Sequence, residues 1–290
     1  MVRAAMPRLY LLAAALLFST AGVAVKGNGF STAQIGCLRA VVAVLTLLLL
    51  VPETRRRPDR GAVVLALVYG ACMALFVVAT RLTYAANAIF LQSTAPLWLL
   101  LLGPLVLHEP MRRRDPFLLL VMASGLYLLF SAEASAGLHA PDPSLGNIVA
   151  IASGLCWAIT LMGLRRRAKN GIPTGPVILM GNVAAIIYFA PFTFPLEAES
   201  TASWLGIFWL GAVQIGLAYV LLVRGLAKVP ALQAAMLMLI EPVLNPMWAW
   251  IAHDERPHDQ VMLGGAIILA TTLADAAISA RVARTAQGKA

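Results

Sequence analysis

Residues 93–110 read STAPLWLLLLGPLVLHEP, and residues 239–257 read LIEPVLNPMWAWIAHDERP. In the first, Pro96 precedes Glu109 by 13 residues; in the second, Pro242 precedes Glu255 by the same 13, at an offset of 146 in a chain of 290. Each stretch is a run apolar enough to cross a bilayer, punctuated by proline and closed by a carboxylate. A second correspondence lies upstream of each. ALLFSTAGVAVKG at 15–27 carries the aromatic-small pair Phe18-Ser19, and ASGLCWAITLMGLRRR at 152–167 carries Trp157-Ala158. In both, a basic residue, Lys26 or Arg165, follows the aromatic by eight positions. The chain therefore reads as two copies of one unit, 1–135 and 143–290.

Working outward, apolar spans of about 20 residues are expected at 9–25, 33–51, 61–80, 86–107, 116–132, 146–164, 174–194, 203–223, 230–252 and 260–280. The predicted fold is an all-α membrane protein of ten transmembrane helices. Five spans per copy is an odd number, so the second copy enters the membrane from the opposite side, an inverted-topology repeat. The linker between copies, SAEASAGLHAPDPSLG, has the composition of a loop. Residues 1–24, with Arg3 and Arg8 before an apolar run and AGVA, have the layout of a secretory signal. That run continues through Val25 and Lys26 with nine spans behind it, so it reads as a first transmembrane helix.

Composition agrees: 60% of residues are hydrophobic and 12% charged, with a mean hydropathy of +0.83. A soluble domain is roughly half apolar and about a quarter charged. The net charge of +9 would suggest nucleic acid in a soluble protein. Here 18 of the 22 Lys and Arg fall on the side of the termini, in short loop clusters, 3 fall opposite, and Arg39 lies within a span. That asymmetry predicts both termini in the cytoplasm of a multi-pass protein of the inner or plasma membrane, and leaves nucleic-acid binding without support. Cys37, Cys72 and Cys156 lie in apolar runs without CxxC spacing, so no disulfide framework or metal site is expected.

An inverted repeat gives two halves that can exchange conformations around a site near the midplane, which is the logic of a transporter. At this point the sequence resembles the drug/metabolite transporter superfamily, in particular its EamA-type ten-helix members. The resemblance is carried by the five-plus-five layout, the pairs Phe18-Ser19 and Trp157-Ala158, Arg39 in GCLRAVVAVL, and the Pro-to-Glu elements at 96–109 and 242–255. It implies export or exchange of amino acids, other metabolites or toxic compounds. The implied central cavity is lined by spans one, three, four, six, eight and nine. Within the superfamily the chain resembles the aromatic-amino-acid exporter type. One departure is Pro110 after Glu109, where the family often has a basic residue; Glu255-Arg256 keeps the pattern.

Ionisable groups inside a bilayer are costly and mark function by default. Three are expected there. Glu241 lies in the middle of span nine before Pro242, which lacks an N–H and crowds the preceding turn. Met238, Glu241, Asn245 and Trp248 follow at helical spacing, a face able to hold an ammonium group and an apolar ring. Arg39 and Asp275 are assigned to structure and charge balance, and Pro96 and Pro242 to hinges. Further expected cavity residues are Gln92, Trp98, Trp157, Tyr84 and Tyr219, since aromatic faces suit substrates with a ring or a cation.

The expected function is secondary transport of a small molecule by alternating access, with no cofactor, the bilayer as partner and protons as candidate coupling ions. A membrane-embedded lipid-modifying enzyme would need an acid or metal cluster at one face. The one dense group, His253-Asp254-Glu255 with His258-Asp259, reads as an external polar turn. A channel would need a continuous polar lining. The absence of a Walker A loop, HExxH or GxSxG removes support for ATP drive or hydrolysis by this chain; no catalytic residue is assigned.

Overall fold

Apolar runs without strand-like alternation can satisfy their backbone groups inside a bilayer only as helices, and the computed structural model is built of helical rods. It describes residues 2–26, 28–83, 85–109, 111–131, 142–196, 199–253 and 259–287. Among them, ten rods follow in chain order. These are α1 (Val2–Ser19, resumed as Ala21–Lys26), α2 (Thr32–Leu50), α3 (Arg60–Leu82), α4 (Ala85–Gln92 and Ala95–Leu107) and α5 (Asp115–Ser131). The second set is α6 (Pro143–Lys169), α7 (Gly175–Phe189), α8 (Thr201–Phe208, Trp209–Leu217, Ala218–Leu226), α9 (Ala231–Met238 and Ile240–His253) and α10 (Asp259–Gln287).

Each rod falls on one expected span. α2, α3, α6, α7 and α8 are long and apolar enough to cross a membrane, and the other five contain shorter apolar helices. Polar caps set the starts. Ser31 and Gln34 form a reciprocal capping box on α2, while Asp59, Asp142 and Ser200 cap α3, α6 and α8 through their side chains, satisfying donors that have no intrahelical partner. The outer surface is apolar: Leu49, Leu50, Leu105, Leu120, Ile187 and Ile251 are all largely exposed. Soluble monomers rarely expose such a belt, whereas hydrocarbon chains of a bilayer cover it.

The largest core draws on α1, α2, α3, α4, α6, α7, α8 and α9. α5 and α10 pack on each other and reach the rest through a smaller cluster with Met236, Leu239 and Val243 of α9. Many helix contacts recur five helices on. α1 packs on α8 as α6 packs on α3; α2 on α8 as α7 on α3; α1 on α9 as α6 on α4.

Two features correct the sequence reading. The basic residues after span six are not a loop: Arg165, Arg166, Arg167 and Lys169 lie on the last turns of α6, and Arg281 and Arg284 lie on α10. A helix continues past the hydrocarbon boundary wherever its backbone remains bonded, so a hydropathy edge marks the end of the membrane and not the end of the helix. Secondly, α8 widens into a π form over Trp209–Leu217, a local change that hydropathy does not encode.

Candidate functional site

α4 is interrupted at Ser93–Thr94, just before Pro96, and α9 at Leu239, just before Glu241-Pro242. Proline has no N–H to donate and restricts the residue ahead of it, so these are natural places for a helix to restart. The break at Leu239 divides the expected face. Met238 ends the first segment of α9, buried in the main core, whereas Glu241 and Trp248 belong to the second. Asn245 lies on the second segment with its side chain outside the described residues, and Tyr84 lies outside them altogether.

The centre of the bundle is an aromatic group around Tyr219 of α8. Its ring meets Phe18 of α1 edge-on at 5.2 Å, Tyr69 of α3 at 5.2 Å and Trp157 of α6 at 6.4 Å between centroids, the arrangement that the ring quadrupole prefers. Two ionisable residues lie within the spans, Arg39 on α2 and Glu241 at the start of the second segment of α9. Neither has an ion pair or a side-chain hydrogen bond among the described residues. Arg39 is set by backbone contact. A Cβ on Gly211, in the π segment, would come within 2.6 Å of the Arg39 carbonyl oxygen, so glycine is what lets α2 lie directly on α8 there. Close by in sequence, Gln214 is buried with an unsatisfied Oε1; Trp98 on α4 has an unsatisfied Nε1.

Other expected site residues have partners within the protein. Gln92 donates from Nε2 to Ser153 Oγ at 2.8 Å, and that hydroxyl donates to the Cys72 carbonyl at 3.0 Å, which ties α4, α6 and α3. Trp248 donates from Nε1 to Ser19 Oγ at 2.8 Å, tying α9 to α1. Asp275 on α10 is paired with Arg114 ahead of α5 at 2.8 Å. The polar turn at 253–259 lies mostly outside the described residues.

At the basic end of the bundle stands a clasp that no single expected residue announced. Glu109 follows α4 after His108, a non-glycine residue in the left-handed region (φ 53°) that reverses the chain at the helix end. Arg165 of α6 donates from Nε to Glu109 Oε1 at 2.7 Å and from Nη1 to the Leu226 carbonyl at the end of α8 at 2.6 Å. The Ala231 N–H at the start of α9 donates to Glu109 Oε2 at 3.0 Å. The carboxylate thus sits at the positive end of α9, and the guanidinium at the carbonyl end of α8, each where the helix dipole favours it. Two side chains, only 14% and 9% exposed, fasten four helix ends. The sequence held the signal: both residues were marked as span exits on one side of the membrane, Glu109 by its spacing from Pro96 and Arg165 by its spacing from Trp157. What the spacing omits is that they meet. Nearby, Arg167 pairs with Asp59 at 2.7 Å, and Glu53 accepts from the N–H groups of Thr174 and Gly175 at the start of α7.

Ten mostly apolar rods around a buried polar centre, with an apolar outer belt, define a multi-pass membrane protein. The chain belongs to the EamA-like transporter family, whose model matches it twice, over residues 6–131 and 144–274. It is 28% identical over 266 residues to an uncharacterized transporter of Archaeoglobus fulgidus, covering 91% of this chain and 93% of that protein. Its fold matches a crystal structure at a TM-score of 0.79, with 21% identity over 96% of this chain and 98% of that one. The chain is therefore a membrane transporter of the drug/metabolite transporter superfamily.

Proposed function

We propose that this transporter is a secondary carrier that exports or exchanges amino acids or related small metabolites by alternating access, in the manner of the aromatic-amino-acid exporter type it resembles. The observation that carries the reading is the pair of ionisable residues within the spans, Arg39 and Glu241, without ion-pair partners among the described residues, in a bundle whose core holds the edge-on Tyr69–Tyr219–Trp157 group. Holding an uncompensated charge in a bilayer is expensive, and a substrate group or a proton that visits and leaves would repay it. The unsatisfied Trp98 Nε1 and Gln214 Oε1 are further polar atoms available to a guest.

The alternation rests on two related halves, 1–135 and 143–290, inverted in the membrane with both termini cytoplasmic. The twofold family match and the contact pattern that recurs five helices on support the duplication. The 18-to-3 bias of basic residues supports the orientation. In this reading Glu109–Arg165 closes the cytoplasmic side, and the interruptions beside Pro96 and Pro242 are where α4 and α9 bend when it opens.

The test is flux of labelled amino acids, with aromatic and hydroxylated ones in the panel, into liposomes containing purified protein, with and without a proton gradient. Glu241→Gln and Arg39→Gln are each expected to lower flux at least roughly tenfold, the order of one lost charge-assisted contact, while the protein stays monodisperse. Flux of no amino acid by the unmodified protein would overturn the substrate class. Unchanged flux in Glu241→Gln would overturn the site.

A further inference from the structure

The basic run at the end of α6 is divided by helix geometry. Arg165 and Arg167 turn inward to Glu109 and Asp59. Arg166 and Lys169, three residues apart and so on one face, are exposed and have no acidic partner among the described residues. Beside them a cavity of about 430 Å³ opens between α4 and α6, lined by Leu105, Leu107 and His108 on one wall and Arg166, Lys169 and Asn170 on the other. Its α4 wall continues into the bilayer-facing belt, where Leu101 and Leu105 are 64% and 74% exposed.

This combination has a specific complement. Two unpaired cations and a histidine at the rim call for an anion, and the exposed leucines below call for hydrocarbon. We infer that the pocket between the ends of α4 and α6 binds the headgroup of an anionic phospholipid, its phosphate against Arg166 and Lys169 and its acyl chain along Leu101 and Leu105. A free phosphate would meet the cations but leave the apolar wall unused. A zwitterionic lipid would meet the wall but bring its own cation toward the arginine. Basic pockets between spanning helices are a general solution for anionic headgroups. Lipid binding here does not depend on which solute the transporter moves, because the pocket faces the bilayer and not the centre of the bundle.

The experiment measures lipid carried by the purified protein, by native mass spectrometry from micelles doped with equal phosphatidylglycerol and phosphatidylcholine, and repeats it with inorganic phosphate in place of lipid. The unmodified protein is expected to retain phosphatidylglycerol preferentially. Arg166→Gln/Lys169→Gln is expected to reduce that retention by roughly 25-fold, since each basic residue near an anionic surface contributes a factor of roughly five. Arg56→Gln/Arg57→Gln, which removes two exposed charges outside the pocket, is the matched control and should retain the lipid. Both pairs are exposed, so elution as a single species checks folding. As a measurement free of substitution, retention by the unmodified protein should fall as salt rises. Equal retention of the two lipids, equal loss in pocket and control variants, or capture of inorganic phosphate as strong as that of the lipid would each overturn the assignment.

Discussion

Replacing Glu109 with Gln keeps an oxygen for Arg165 and removes the charge, which makes it the cleanest probe of the clasp. A hydrogen bond to a charged group contributes about 1.5–3 kcal/mol, and a carboxylate at a helix N-terminus about 0.3–1 kcal/mol. The two side chains are 14% and 9% exposed, so water screens them little. Arg165 would also be left largely buried with only neutral oxygens to meet, the amide at position 109 and the Leu226 carbonyl. The expected loss is therefore about 2–3 kcal/mol, roughly 30- to 150-fold in the ratio of clasped to unclasped protein. The assay is a double-mutant cycle of Glu109→Gln, Arg165→Met and their combination, read by equilibrium unfolding in mixed micelles. Thiol labelling of Ala234→Cys, buried at the start of α9, follows opening of that end directly. A coupling energy of about 1.5 kcal/mol or more and faster labelling in both single variants are expected. Single effects that add to within about 0.5 kcal/mol would refute the clasp, because residues that fasten the same helix ends cannot act independently.

Two further outcomes follow from the packing and the charges. A Cβ at Gly181 would fall 2.0 Å from Cδ1 of the buried Tyr69 ring, so Gly181→Ala should destabilise by about 1–3 kcal/mol, the usual range for overpacking; unaltered unfolding would mean that α3 and α7 do not meet as described. The hydrogen bond from Arg167 and that from the Ala62 N–H hold the Asp59 carboxyl down at about 2, below the ordinary value of about 3.9. The tie is then present above about pH 4 and is lost as pH falls toward about 2. The stability difference between the unmodified protein and Asp59→Asn should vanish over that window, and a difference persisting below it would contradict the assignment.

The ten rods were legible because bilayer crossing imposes length and apolarity on each segment independently, so composition in a window suffices. Glu241 and Arg39 stood out for the same reason: a charge in an apolar run is conspicuous. Pairings were less legible. Gln92 is expected at the cavity, and its amide also donates to Ser153 on α6, a contact 61 positions away that no periodicity reports. The face from Met238 to Trp248 assumed an unbroken helix, and the break at Leu239 removes that assumption. Arg165 and Arg167 look like loop charges in the sequence because their carboxylates, 56 and 108 positions distant, meet them only once the helices have packed.

That last point changes what the basic residues mean at different moments in the life of the chain. During insertion the helix ends are unpaired, and every lysine and arginine weighs on the direction in which a segment crosses. Once assembly is complete, Arg165, Arg167 and Arg114 are each neutralised by a carboxylate from another part of the sequence. The nascent protein thus presents a stronger positive field than the mature one, and residues of the kind that bias orientation serve afterwards as fasteners.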